Sequence, residues 1–243
     1  MKSYENPCVY AIMITGKDRK RIMFARLIGI KNFDGQDYPN KKMIIVNHGD
    51  TPVLENPRND IYELMVEKGD MTSGDLRNLA LELVPINGCW ITFDDDDNRV
   101  NNYLSFMVNT LLETKSIAVF LKNRLEYNLA NGFTFKSHFS YGNTHILCIK
   151  LDRLRYTSVN TLEDVNLQKD IKSFKKKYVA IDNDPKMYIR IIHQNNTSPF
   201  ALDSRDHIMN FASTSYYKES NASEDEKEFA QKVIKDKYGF FLY

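Results

Sequence analysis

Residues 91–100, with the sequence ITFDDDDNRV, form the most informative segment of the chain. Three residues typical of a buried strand, residues 91–93, run directly into four consecutive aspartates. Neighbouring carboxylates repel one another, and a hard divalent cation relieves that repulsion by binding their oxygens. Mg²⁺ or Mn²⁺ is commonly held by one or two carboxylates together with the phosphates of a substrate. The segment therefore predicts a cation and diphosphate site at a strand end, against the alternative of a solvated acidic turn.

The rest of the chain alternates between strand-like and helix-like patterns. Short apolar runs bounded by Gly, Pro, Asn and Asp predict buried strands at residues 8–14, 43–46, 90–93, 117–121, 146–151 and 187–193. Apolar residues at helical spacing predict helices at residues 19–33, 75–83, 101–113 and 162–174. The alternation over residues 8–93 implies parallel strands with right-handed crossovers, so a ligand is expected beyond their carboxyl ends.

The composition excludes several classes of protein. Among 243 residues, 33 lysines and arginines balance 32 aspartates and glutamates, which leaves a net charge of +1. Without a basic surplus, no nucleic-acid partner is expected. No stretch approaches the roughly 20 apolar residues of a transmembrane helix, so no transmembrane span is expected. The first half contains neither G-x-G-x-x-G nor G-x-x-x-x-G-K-[ST], which disfavours the usual dinucleotide fold and a P-loop.

The three cysteines, Cys8, Cys89 and Cys148, lie in or beside apolar runs and form no C-x-x-C pair. A sparse, odd number of cysteines fits a reducing compartment, with the thiols buried as small hydrophobic groups. The apolar run near the N-terminus is too short for the core and flanks of a signal peptide. We therefore expect a cytoplasmic protein without a zinc site.

Several segments upstream of the aspartates match one family pattern. QDYPN at residues 36–40 fits a Q-x-Y-x-N segment that precedes a strand. NHGD at residues 47–50 stands where that pattern usually has D-D-G-S. Gly74, Arg77 and Asn78 fit a glycine followed by an R-N pair in a helix.

The aspartates and two later segments extend the match. Residues 94–97 resemble a D-x-D-D metal motif, and TLEDVNL at residues 161–167 resembles an E-D-x-D-L motif that opens a helix. YIRIIHQNNTS at residues 188–198 resembles a strand that ends in H-x-x-N-T-S. Together, over about residues 8–200, these segments resemble the GT-A fold glycosyltransferases, above all the inverting family 2. The resemblance implies an α/β fold with a Rossmann-like mixed sheet flanked by helices.

The resemblance also implies a nucleotide-sugar donor and a divalent cation. The residues that it places around the nucleotide are Thr15, Lys17, Arg19, Asn47, His48, Arg77, Asp94 and Asp95. The ligands that it implies for Mn²⁺ or Mg²⁺ are Asp94, Asp96 and His193. Asn47 and His48 replace the acidic residues usual in the family. The resemblance therefore leaves open whether the donor is a UDP-sugar or a GDP-sugar.

The same resemblance assigns the chemistry to the acidic pair Glu163 and Asp164. In an inverting transfer an acceptor hydroxyl displaces the diphosphate directly, and a carboxylate must take the proton of that hydroxyl. By the family pattern Asp164 is this base, and Glu163 orients the acceptor or the base. From the residues alone, the alternative is an acidic pair that only stabilises the N-terminus of a helix.

The resemblance and the chain pattern together predict one domain with a tail. Residues 1–215 form the GT-A domain, with the nucleotide-binding half at about 1–100 and the acceptor half at about 101–215. Residues 216–243 form a helical tail capped by Ser223, with Phe229 and Val233 in a narrow apolar stripe. We expect this helix to pack on the domain, with a partner-binding or membrane-surface helix as the alternative.

The predicted function is a metal-dependent, inverting glycosyltransferase that acts on a hydroxyl of a glycan or glycoprotein acceptor. A dimer stays open. One alternative is a sugar-phosphate nucleotidyltransferase, which shares the early fold and needs a glycine-rich basic loop such as residues 15–17. The other is a GT-A-like domain that binds a glycan without catalysis.

Overall fold

The computed structural model describes residues 6–16, 18–67, 69–140, 142, 145–160, 162–193 and 217–239. The chain divides into two compact units. The first consists of Met1–Asp96, Asn101–Val119 and Thr144–Val179. The second consists of Asp97–Val100, Phe120–Asn143 and Ala180–Tyr243.

The described residues form strands and helices in the following order. The strands are β1 (Val9–Thr15), β2 (Lys41–Asn47), β3 (Ile61–Met65), β4 (Cys89–Thr92), β5 (Asn98–Arg99), β6 (Ala118–Leu121), β7 (Asn123–Asn128), β8 (Thr134–Phe139), β9 (Ile146–Ile149), β10 (Tyr178–Ile181), β11 (Tyr188–Ile192) and β12 (Tyr217–Asn221). The helices are α1 (Arg19–Phe24), α2 (Ile30–Asp34), α3 (Ser73–Leu83), α4 (Tyr103–Thr114), α5 (Glu163–Ser173) and α6 (Glu224–Tyr238). A π-helical turn (Ala25–Gly29) joins α1 to α2, and a 3-10 turn (Pro185–Met187) precedes β11.

The first unit is built on a mixed sheet with helices, as predicted. Its strands follow the order β9-β4-β1-β2-β3, and β6 and β10 continue the sheet beyond β9. β1 pairs in parallel with both β2 and β4, which confirms the predicted parallel strands, and β9 is antiparallel to β4. β4 is buried throughout, as expected of a strand covered on both faces. The edge strand β3 was not predicted, because Glu63 interrupts its apolar residues and only Ile61 of the strand is buried, with Tyr62 54% exposed.

The helix predicted at residues 19–33 is interrupted by the π-helical turn. Gly29 ends that turn against β1 and the aspartate run. A Cβ at Gly29 would lie 2.7 Å from the sulfur of Met13 and 3.2 Å from the Cα of Asp95. Only a glycine therefore lets this helix approach the backbone of the aspartates so closely.

The second unit is built on a sheet in the order β12-β8-β7-β11-β5. β7 and β8 form an antiparallel pair, and β11 is parallel to β7. On the other side, the short strand β5 pairs antiparallel with β11. The sequence did not predict β7 or β8, because β7 has the sequence NRLEYN and its polar residues are buried rather than exposed.

A buried charge network explains how β7 carries these polar residues. Glu126 is 3% exposed and accepts hydrogen bonds from Arg124 Nε at 3.0 Å and from the Ser137 hydroxyl at 2.6 Å. Arg190, its direct neighbour on β11, lies 3.3 Å away. Burial by itself would raise the pKa of Glu126, but the two arginines outweigh burial and lower it. The network therefore needs the charged carboxylate.

Replacing that carboxylate is expected to destabilise the fold. Glu126→Gln should lower the free energy of unfolding by about 2 kcal/mol at neutral pH, because the buried Arg124 and the half-buried Arg190 lose their counter-ion. The folded-state pKa of Glu126 lies below its unfolded value, so this stabilisation is present above the unfolded pKa and disappears as the pH falls through the folded pKa. Urea unfolding at neutral and acidic pH measures both effects. Glu224→Gln, an exposed carboxylate on α6, is the control. Equal losses in the two variants would refute this account of the network.

The tail helix α6 begins as predicted. Ser223 caps it and forms a capping box with Glu226. Its buried side chains include Ala230 and Ile234. Each follows directly after a residue of the predicted apolar stripe, Phe229 or Val233. Among the described residues, no helix combines the length and the apolar character needed to cross a membrane.

Candidate functional site

The middle of the aspartate run is held by α1 and β1. Asp95 is fully buried, accepts a hydrogen bond from the Thr15 hydroxyl at 2.7 Å and pairs with Arg21. The same guanidinium donates to Asp96 at 2.5 Å. Burial alone would lower the pKa of Arg21, but Asp95 and Asp96 outweigh burial and raise it. Arg21 therefore remains a permanent counter-ion to these two carboxylates.

One arginine does not balance the negative charge at this strand end. Burial raises the pKa of Asp95, and Asp96 adds to the rise, although Arg21 and Thr15 act against it. Asp94, the first aspartate, is half-buried and faces a second set of partners. Its oxygens lie 3.6 Å from Arg77 Nη2 and 3.6 Å from His145 Nδ1. The acidic run thus has two sides, one that pairs with Arg21 and one that faces Arg77 and His145.

Arg77 connects the aspartate run to the helix that carries the predicted base. Its guanidinium pairs with Glu163 at the start of α5 and lies 5.4 Å from the ring centroid of Tyr156. Burial alone would lower the pKa of Arg77, but Tyr156 and the carboxylates of Asp94 and Glu163 outweigh burial and raise it. A permanently charged guanidinium therefore contacts both Asp94 and Glu163, which are far apart in sequence.

The other two residues of the predicted G…R-N triplet fix the loop before α5. Asn78 donates to the Tyr156 carbonyl at 2.9 Å and accepts from the Tyr156 amide at 2.8 Å. A Cβ at Gly74 would lie 1.8 Å from the carbonyl oxygen of Thr157, so a glycine is required for α3 to approach this loop. The triplet therefore positions the entry to α5.

Glu163 and Asp164 begin α5, as predicted. Glu163 is buried, and burial raises its pKa more than Arg77 lowers it. Asp164 is half-buried, and one of its carboxylate oxygens accepts from the Val165 amide at 2.7 Å. Asp164 is thus the more accessible carboxylate of the pair.

The residues predicted to surround the nucleotide lie mostly at strand ends. Thr15 and Asn47 end β1 and β2 and are register partners. Asn47 donates to the Thr51 carbonyl and to Glu63, so its amide shapes the turn after β2. The His48 amide donates to the Thr15 carbonyl at 3.1 Å, and Arg19 begins α1 with an exposed side chain. Lys17 lies outside the described residues.

Two residues of interest belong to the second unit. Asp97 is buried and accepts hydrogen bonds from the Tyr188 hydroxyl and, at 2.9 Å, from the Ile191 amide. It thereby anchors β11. His193 follows β11 and is also buried. Its assignment as a metal ligand stays a prediction.

His145 is a candidate ligand that no sequence motif indicated. It directly precedes β9, and β9 is antiparallel to β4, so the residue before β9 lies beside the residues that follow β4. The ligand atoms of Asp94 and His145 lie close enough to share one ion. A carboxylate oxygen and an imidazole nitrogen are a donor set that suits Mn²⁺.

The fold of the chain is that of the GT-A glycosyltransferases. This follows from solved structures, since no protein-family profile matches the sequence and no curated protein sequence matches it either. At about 15% identity, the likeness to these structures establishes the fold alone.

The structures that share this fold include TarS from S. aureus and a mannosyltransferase. TarS 1–349 in complex with UDP-GlcNAc is 15% identical with a TM-score of 0.61, over 93% of this chain and 72% of that one. Another structure of TarS 1–349 is 16% identical with a TM-score of 0.57, over 75% and 60%. The mannosyltransferase PcManGT from Pyrobaculum calidifontis, in complex with GDP-Man and Mn²⁺, is 15% identical with a TM-score of 0.56, over 79% and 59%. The chain thus spans about 60% of the length of two of these structures.

Proposed function

We propose that the chain is a glycosyltransferase that moves a sugar from a nucleotide-diphosphate sugar to a hydroxyl of a glycan or glycoprotein, with inversion at the anomeric carbon. The observation that carries the proposal is the position of Arg77, whose guanidinium contacts Asp94 of the acidic run and Glu163 of the predicted acceptor helix. A donor diphosphate and an acceptor hydroxyl must meet for transfer, and Arg77 connects the two groups of residues that would hold them.

The proposed nucleotide-sugar donor is supported by the solved structures of the same fold and by the negative charge of the aspartate run. Two structures of the same fold hold UDP-GlcNAc and GDP-Man, and the second also holds Mn²⁺. In this chain we propose that Asp94 and His145 hold the cation. The D-x-D-D assignment of Asp96, whose carboxylate pairs with Arg21, remains an alternative. When bound, the cation would offset the charge that develops on the leaving diphosphate.

The acceptor side rests on the two acidic residues of α5. Asp164 is accessible and would take the proton of the acceptor hydroxyl as that oxygen attacks. Glu163, fixed by Arg77, would orient the acceptor or the base. A positively charged Arg77 would also attract the diphosphate, since a guanidinium matches phosphate oxygens in shape and charge.

We also propose a cytoplasmic location, which rests on the cysteines. All three thiols are free, and burial raises the pKa of Cys89 to about 12 and also raises that of Cys148. Such thiols are poorly reactive and are compatible with a reducing compartment.

A donor screen tests the proposal. Purified protein with Mn²⁺ is incubated with UDP-, GDP- and dTDP-sugars, and release of sugar to water is measured. We expect slow hydrolysis of one donor class that stops when the cation is chelated. No release from any donor would favour a glycan-binding domain, and pyrophosphate release from nucleoside triphosphates would favour a nucleotidyltransferase; either result would contradict the proposal.

A further inference from the structure

A lysine-rich surface follows the acceptor helix, and the proposed function does not use it. Residues 169–177 contain five lysines and one acidic residue, Asp170, which gives a local charge of 5 − 1 = +4. The whole chain carries +1, so the remaining residues together carry 1 − 4 = −3. We call Lys169, Lys172 and the three lysines at 175–177 the lysine surface.

The lysine surface is exposed and largely without carboxylates. Lys169 and residues 175–177 are exposed, and none of the four pairs with a carboxylate in the described part of the chain. Other lysines do have acidic partners, as Lys136 pairs with Glu226 and Lys227 with Glu224. Because like charges repel, a patch of this kind costs folding energy unless it meets an external anion.

Aromatic side chains flank the three consecutive lysines. Phe174 precedes them and is half-buried, and Tyr178 follows them and is 36% exposed. The Lys172 ammonium lies 6.0 Å from the ring centroid of Tyr178. Clustered lysines beside amphipathic aromatic rings suit the interface of an anionic bilayer, where the lysines meet headgroups and the rings lie at the interface.

We propose that the lysine surface docks the protein on an anionic lipid bilayer. This adds a membrane partner to a chain whose described helices do not cross a membrane. The surface includes the C-terminal part of α5, which has 11 residues and is about 16 Å long, and Asp164 lies at the opposite end. Changes to the surface therefore leave the acidic pair in place.

Vesicle co-sedimentation tests the docking. We expect the full chain to sediment with vesicles of equal parts phosphatidylcholine and phosphatidylglycerol but not with pure phosphatidylcholine, and salt should weaken the binding. The triple variant Lys175→Glu, Lys176→Glu, Lys177→Glu should bind at least about tenfold more weakly. Its hydrolysis of soluble donors should be unchanged, so that a failure of docking is distinguishable from a failure of the proposed transferase.

A matched control removes the effect of total charge. Lys31→Glu, Lys232→Glu, Lys235→Glu changes the net charge equally at exposed sites elsewhere, and we expect it to retain vesicle binding. Unfolding midpoints establish that both variants are folded. Equal binding to both vesicle types, an equal loss in the control, or binding to a soluble polyanion such as heparin but not to vesicles would overturn the proposal.

Discussion

Asp164→Asn is expected to lower the rate of sugar transfer by about 10²–10⁴-fold while leaving donor affinity unchanged. Asparagine keeps the shape of aspartate but does not take up the proton of an acceptor hydroxyl. Asp164 is half-buried, and its carboxylate accepts a local hydrogen bond from the Val165 amide that the amide oxygen of asparagine also accepts. The fold should therefore survive. Steady-state transfer rates and titration calorimetry with the donor and Mn²⁺ measure the two quantities separately.

Asp170→Asn provides the matched control for this prediction. Asp170 is an exposed aspartate on the same helix, and its replacement should change neither rate nor affinity. If Asp164→Asn transferred sugar at the wild-type rate, the assignment of the base would be wrong.

Asp94→Asn is expected to weaken Mn²⁺-dependent donor binding by at least about 100-fold. Loss of a group that only orients a metal ligand already costs about 10–100-fold in metal affinity, and Asp94 is proposed as a ligand itself. The change also removes the carboxylate that faces Arg77 and His145. Calorimetric titration of the donor, with Mn²⁺ and with chelator, measures the cation-dependent part.

In the presence of chelator, wild type and Asp94→Asn should bind the donor with similarly low affinity. Asp152→Asn, at an exposed loop aspartate, should behave as wild type under both conditions. A full Mn²⁺ effect in Asp94→Asn would exclude Asp94 as a ligand. Loss of that effect in Asp96→Asn would then favour the D-x-D-D assignment.

Much of the first sheet was predictable because its strands are short apolar runs. The structure confirms strands at five of the predicted places in the first 150 residues, and the parallel pairing of β1 with β2 and β4. Buried parallel strands leave this signature directly in the sequence. Helix starts were less predictable, since α3 begins at Ser73 rather than residue 75 owing to the capping box of Thr72 and Asp75.

Strand β7, which the sequence did not predict, carries polar residues at buried positions. Periodicity identifies a strand by where its apolar residues fall, and β7 places Arg124 and Glu126 inside a charge network instead. Their burial depends on Ser137 and Arg190, which lie on other strands. No local pattern contains this information.

The candidate site likewise contains residues that the sequence motifs indicated and residues that they did not. The motifs indicated Arg77, Asp94 and Glu163, and in the structure these three lie together. His145 was missed because its position follows from the antiparallel pairing of β9 with β4, which the sequence pattern did not indicate. Arg21 was missed as the partner of Asp95 because an arginine on a helix carries no signal of what it will meet.

The configuration of the released sugar tests the central claim most directly. Proton NMR of the donor reaction with Mn²⁺, recorded before the released sugar equilibrates, distinguishes its two anomers. We predict that wild-type protein first releases the anomer opposite to that of the donor, and that Asp164→Asn releases none at a measurable rate. Release of the same anomer as in the donor, or equal release by Asp164→Asn, would contradict an inverting transfer with Asp164 as its base.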